Sequence, residues 1–421
     1  MSTTERTPAR SDAASGGDAA ALANIFNATA VRERCVLVHH WVAAGRSQHF
    51  ALDESRLADV AAYVADVTRA AYPDLKIPPH SRWRHFTAGG IDRWASIAQK
   101  LEGATANERA RIAIDLATVS VLLDAGAGDR WRYREQSTGL IFARSEGLAV
   151  ASLDMFAGGV FSSDPARPLR TDAAALKTID AAKLAHGFQV GADNPLIGLD
   201  HRAALLRRLG HALEARHDLF GSTGRPGHLA DHLAQLHRNG HVPAAVVLST
   251  LLDSLSSIWP SGLIVGGVSV GDAGRHPAAR TGDATDGIVP FHKLSQWLTY
   301  SLIEPLAISG LIVEDLDGLT ALPEYRNGGL LIDLGVIRPR RPVETPQEVS
   351  SELVVEWRAL TVTLMDKLLG LVRGQLGFDA TFALPHLLQG GTWSAGRKIA
   401  RELRPPHGPS PIPLATDGTV F

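Results

Sequence analysis

A mainly α-helical, single large domain with few short strands is the architecture this chain predicts, and three observations carry it. Apolar residues return at three- and four-residue spacing through most of the sequence. Runs of strict apolar–polar alternation, the mark of half-buried strands, are few and short. No internal repeat and no linker-like stretch cuts the 421 residues, although length alone would allow two or three domains.

Taken in order, residues 1–18 are small and polar and cannot bury enough surface to offset the entropy of ordering, so a disordered tail is expected there. From Ala19 to about Ala44 the pattern is helical, with Leu22, Ile25, Phe26, Val36, Leu37 and Trp41 at helical intervals. Asp53 to Tyr72 follows as a second helix, with Asp53 as its N-cap and Leu57, Val60, Ala61, Val64 and Val67 as its buried stripe. Pro73 and the Pro78-Pro79 pair close it. Further helices are expected over 107–126, 228–239, 242–259 and 346–372, each with a periodic apolar face. The segment 139–156 reads as an apolar element broken by Arg144, Ser145 and Glu146, which are either an internal ion pair or site residues. Residues 19–404 thus form the expected single helical domain, and a proline-rich segment, 405–421, ends the chain.

Composition narrows the function. A formal charge of −2 argues against nucleic acid or an anionic membrane surface as the main partner. No run reaches the roughly 18 uninterrupted apolar residues of a spanning helix, and the N-terminus has no apolar signal region. One cysteine, Cys35, cannot form an internal disulfide, so a reducing, cytoplasmic setting is expected. His228 and His232 stand four residues apart, yet the acid of a His-Glu-x-x-His motif is missing and no other ligand cluster appears; no metal is expected. Phosphate-loop, dinucleotide and Gly-x-Ser-x-Gly signatures are absent too.

Reactive groups concentrate between Asp286 and Arg341. Pro290 suits the first turn of a helix, and Asp286 ahead of it can satisfy free N–H groups. On that helix His292, Gln296 and Thr299 share a stripe, with Lys293 and Tyr300 beside it. Further on, Leu-Pro-Glu324-Tyr325-Arg326-Asn327-Gly-Gly is either a turn with a solvated ion pair or a carboxylate held by Arg and Tyr to work on an electron-poor carbon. The loop His80–Trp94 leaves two readings as well: a surface loop, or an anion grip in which Arg82, Arg84, His85 and Arg93 bracket Gly89-Gly90.

Seven segments together resemble the Urc/Urg uracil-catabolism family. They are Ser81-Arg-Trp-Arg-His-Phe, Arg144-Ser-Glu-Gly, Asn194-Pro-Leu-Ile-Gly-Leu, Val289-Pro-Phe-His-Lys-Leu-Ser-Gln-Trp, Leu322-Pro-Glu-Tyr-Arg-Asn-Gly-Gly-Leu, Gly390-Gly-Thr-Trp and Asp417-Gly-Thr-Val-Phe. Phe291-His-Lys-Leu-Ser-Gln and Leu319-Thr-Ala-Leu-Pro-Glu-Tyr-Arg-Asn are similar, more distantly, to segments of queuosine salvage proteins, all-helical DNA-glycosylase-like enzymes in which Asp stands where this chain has Glu324.

Together the resemblances imply a helical hydrolase that cleaves the N-glycosidic bond of a 5-phosphoribosyl urea-type intermediate, releasing ribose 5-phosphate and urea or a urea derivative. Glu324, flanked by Tyr325, would stabilise or attack the anomeric carbon. Glu146, Asp286 or Asp333 would orient water or protonate the leaving nitrogen. Lys293, Arg326, His292, Gln296, Asn327, Arg82, Arg84 and His85 would hold the phosphosugar. No cofactor is implied, and association with other uracil-catabolism enzymes fits such a role. The alternatives are an amidohydrolase acting on the ureido group and a non-catalytic subunit that binds a pathway intermediate.

Overall fold

The computed structural model describes residues 16–124, 126–259 and 263–415; the expected tail up to residue 15 and the segment Asp417–Phe421 lie outside these. The longest element, the helix Glu352–Leu376, begins at Ser351, whose side chain accepts from the N–H of Val354. It packs against the helices Ala28–Ala43, Leu57–Ala71 and Tyr325–Asp333. Val60, Val64, Leu330, Leu331, Leu360, Leu364 and Leu368 form one apolar cluster there. A larger cluster gathers around the helices Ala106–Leu122 and Lys293–Ile308, which pack on each other, joined by Arg144–Ala157, Leu199–Ala215 and Ala244–Leu255. The domain is helical throughout, and among the described residues its strands pair only as two-stranded sheets of two or three residues per strand. No helix of the described residues is long and apolar enough to cross a membrane.

Several boundaries depart from the periodicity. The helical pattern of 19–44 is two helices, Gly16–Ala23, which begins inside the tail expected to run to residue 18, and Ala28–Ala43, where Asn27 turns its side chain back to the N–H of Ala30 at 2.8 Å and starts a new helix. Asp53 does not cap with its side chain; it takes Ser55 and Arg338 instead, and a short 3-10 turn, Glu54–Arg56, precedes the helix Leu57–Ala71. The segment 139–156 divides into a strand, Ile141–Phe142, and a helix, Arg144–Ala157.

The central helix starts at Lys293, not at Pro290. Pro290 closes the strand Ile288–Pro290, which pairs antiparallel with Ala273–Arg275. His292 then adopts a left-handed backbone (φ 49°), a conformation incompatible with continuing a helix backwards. The cap comes from Asp272, not from Asp286. The Asp272 carbonyl accepts from the N–H groups of Phe291 and His292, and its carboxylate accepts from that of Lys293 at 2.9 Å. Asp286 instead accepts from the N–H of Thr281 and pairs with Arg280.

Candidate active site

Glu324 is the residue just before the helix Tyr325–Asp333, and three side chains pin the segment that delivers it. Gln296 donates to the Thr320 hydroxyl at 2.6 Å and accepts from the Thr320 N–H at 2.8 Å; Tyr300 donates to the Thr320 carbonyl at 2.8 Å. Asn327 donates to the Leu322 carbonyl at 3.1 Å. Gln296 and Asn327 are thereby internal fasteners, not substrate ligands. The double glycine is not a turn either. It lies within the helix, where a Cβ on Gly328 would sit 2.5 Å from the Trp357 indole nitrogen, so glycine permits close packing against the long helix.

Glu324, Tyr325, Arg326 and Lys293 all line one cavity of about 610 Å³. Its walls come from many helix ends: Asp124 after the helix Ala106–Leu122, Arg144 to Glu146 opening the next, His85 within Arg82–Phe86, and Trp393 and Arg397 opening Trp393–Leu403. The segment from Pro405 to Ser410 forms a further wall, held by the Arg326 guanidinium donating to the Gly408 carbonyl at 2.9 Å. Part of the proline-rich C-terminal segment thus belongs to the site.

Charge in this cavity is poorly solvated. Among the described residues the Glu324 carboxylate accepts no hydrogen bond, and burial pushes its pKa up to about 7 against the pull of Lys293 and Arg326. Burial likewise lowers Lys293, with Glu324 opposing. Asp124 is held differently: Arg82 lies 2.8 Å from one oxygen and Ser145 donates to the other at 2.6 Å. Glu146 pairs with Arg397 at 3.1 Å, and that guanidinium lies over the Trp393 ring. His80 and His85 stand against Trp297 and Trp393, and burial pushes both imidazoles down to about 4, leaving an uncharged wall near neutral pH.

Other predicted residues lie elsewhere. Arg82 is fully buried behind the cavity, where it also donates to Ser120; Arg84 pairs with Glu304. His292 is buried on Phe26 with Nε2 at 2.9 Å from the Ile25 carbonyl. Asp333 receives Arg404 through both oxygens, and Asp286 remains in its own loop. None of the five lines the cavity. The glycine-flanked arginine loop is likewise not an anion grip, since Arg93 is consumed by Glu135 at 2.6 Å and by three carbonyls. A third grouping, His276, Glu352 and Glu356, brings potential ligand atoms within 4.8 Å of one another, away from the cavity. There His276 and Ser47 both bond the buried Glu356, while Glu352 is exposed and pairs with His49.

Residues 24–421 match a family described as a protein of unknown function, DUF1688. The chain belongs to the DUF1688 family. Among curated relatives, Protein urg3 of Schizosaccharomyces pombe is 40% identical over 385 residues, covering 88% of this chain and 92% of the relative. Uracil catabolism protein 4 of Lachancea kluyveri is 37% identical over 431 residues, covering 93% and 97%.

Within this DUF1688 chain, sequence reading located Glu324, Tyr325, Arg326, Lys293, Glu146 and His85, all of which meet at the cavity. Arg144 and Ser145, which the sequence left as either an internal ion pair or site residues, line it too. Sequence reading missed Asp124, Trp297, Trp393 and Arg397 as site residues. Asp124 gave no local signal, because it ends an ordinary apolar helix. The signal that did mark Arg144 was a charged residue inside an apolar run.

Proposed function

We propose that the protein acts in uracil catabolism as an N-glycosidase, hydrolysing a 5-phosphoribosyl urea-type compound to ribose 5-phosphate and urea or a urea derivative. The observation that carries this is the convergence of Glu324, Lys293 and Arg326 with Asp124 and Glu146 on a single cavity. Its volume falls within the roughly 300–1,000 Å³ of small-molecule sites. A relative named for uracil catabolism supports the pathway.

The chemistry suits the residues. Breaking a C1–N bond develops positive charge on the sugar ring and negative charge on the leaving nitrogen, so one carboxylate is needed opposite the ring and one proton donor at the nitrogen. The neutral wall of His80, His85, Trp297 and Trp393 fits a planar, uncharged ureido group. With Arg82 and Arg84 committed to internal ion pairs, Arg144 becomes the arginine for the phosphate. Its guanidinium makes no ion pair or hydrogen bond with the described residues, and it lines the cavity. Its left-handed backbone (φ 54°) is a strained state retained at this rim.

Incubation of the full chain with synthetic ribosylurea 5-phosphate tests the proposal: stoichiometric ribose 5-phosphate and urea are expected. Ammonia and carbon dioxide would make it an amidohydrolase, and tight binding without turnover would make it a carrier.

A further inference from the structure

We propose that Glu324 carries the proton to the leaving nitrogen while Asp124, absent from any motif of the sequence, supplies the fixed negative charge opposite the sugar. The assignment rests on the N-glycosidase reading above.

The two carboxylates share a cavity but differ in what already touches them. Asp124 has a donor on each oxygen, the Arg82 guanidinium at 2.8 Å and the Ser145 hydroxyl at 2.6 Å. Arg82 is itself locked by Ser120 at 2.7 Å and Ser145 at 3.1 Å. Each oxygen of this carboxylate thus already accepts from a donor fixed within the fold, and its side chain remains open to the cavity. Glu324 accepts no hydrogen bond from the described residues, and its groups in view are Lys293 and Arg326, which favour its charge, Asp124, which opposes it, and Arg397. Burial outweighs them, so Glu324 holds a proton near neutral pH, as an acid in a glycosidase must. Glu146 is spoken for by Arg397.

The step balances. As the C1–N bond breaks, its electron pair goes to nitrogen and the O–H proton of Glu324 is transferred there. Water then forms the O–C1 bond and gives its proton to the Glu324 carboxylate, restoring the acid. One water is consumed and Asp124 is unchanged throughout.

A leaving group that needs no proton separates the roles. On ribosylurea 5-phosphate, Glu324→Gln is expected to lose about 10²–10⁴-fold in kcat; on 4-nitrophenyl riboside 5-phosphate it should keep most of the wild-type rate. Asp124→Asn should be slow on both, with a melting curve to establish that it folds. For the wild type, kcat/KM on ribosylurea 5-phosphate should fall as pH rises past 7, and this limb should vanish with the nitrophenyl substrate. Equal losses for Glu324→Gln on both substrates, or a rate that rises through pH 7, overturn the assignment while leaving the hydrolase intact. A wild type that cleaves neither substrate strikes down the N-glycosidase reading itself, and the assignment with it.

Discussion

Asp272, buried, and Glu324, half-buried at the cavity wall, both stand within reach of Lys293, and they shift in opposite directions. Burial raises the pKa of each, but at Asp272 the Arg358 guanidinium, bonding at 2.8 and 2.7 Å, and the Lys293 N–H outweigh it, and the pKa is lowered. Glu324 has no such donors among the described residues and goes up to about 7. The difference teaches that burial alone does not mark a functional acid. A saturated carboxylate away from the cavity builds the fold, here by starting the central helix, whereas one that faces the cavity without donors is available to exchange a proton.

The largest break in that comparison comes from Arg358→Met, which strands the Asp272 charge. A stability loss of about 3–5 kcal/mol is expected in urea denaturation. By contrast, Glu324→Gln should be at least as stable as wild type at pH 8, because it removes a poorly solvated charge. A collapse matching that of Arg358→Met would make both carboxylates structural.

The pH dependence sharpens the contrast. Glu324 has a folded pKa near 7 against an ordinary 4.5, so its favourable contribution is present below 4.5 and lost as pH rises through 7. The stability advantage of Glu324→Gln should therefore widen from pH 4.5 to above 7. Asp272, with a lowered pKa, has the reverse sign: its contribution is held at neutral pH and lost as acid protonates it. Paired denaturation curves of wild type and Glu324→Gln across that range check the first sign.

The smallest expected effect on the fold is at Arg144. Arg144→Gly relieves a left-handed residue and should stabilise by about 1 kcal/mol. It should also raise KM for a phosphorylated substrate about tenfold, the worth of one charge-assisted hydrogen bond, with kcat little changed. An unchanged KM would remove Arg144 from the phosphate subsite.

Much of the helical fold was legible because each amphipathic stripe is written locally, as in Leu57–Ala71 with Val60, Ala61 and Val64 inward. Half of the site was legible for a similar reason. Glu324, Tyr325 and Arg326 are neighbours in the chain, and Lys293 belongs to the same dense stretch. The prediction failed where polar residues found partners from far away. Arg82 looked like an anion ligand until Asp124 and Ser120 reached it, and Gln296 until Thr320 did.

Sequence alone determined the helical class, the family resemblance and the charged tripeptide Glu324–Arg326, since these depend on residue order and periodicity. Only the tertiary structure decided which carboxylates stand open. Asp272 is closed by Arg358 from 86 residues away in sequence (358 − 272), and Asp124, which faces the cavity, is held by Arg82 from 42 residues away (124 − 82), while Glu324 faces the same cavity with no donor among the described residues. Hydrogen-bond saturation is a property of what packs around a group, and no local pattern encodes it.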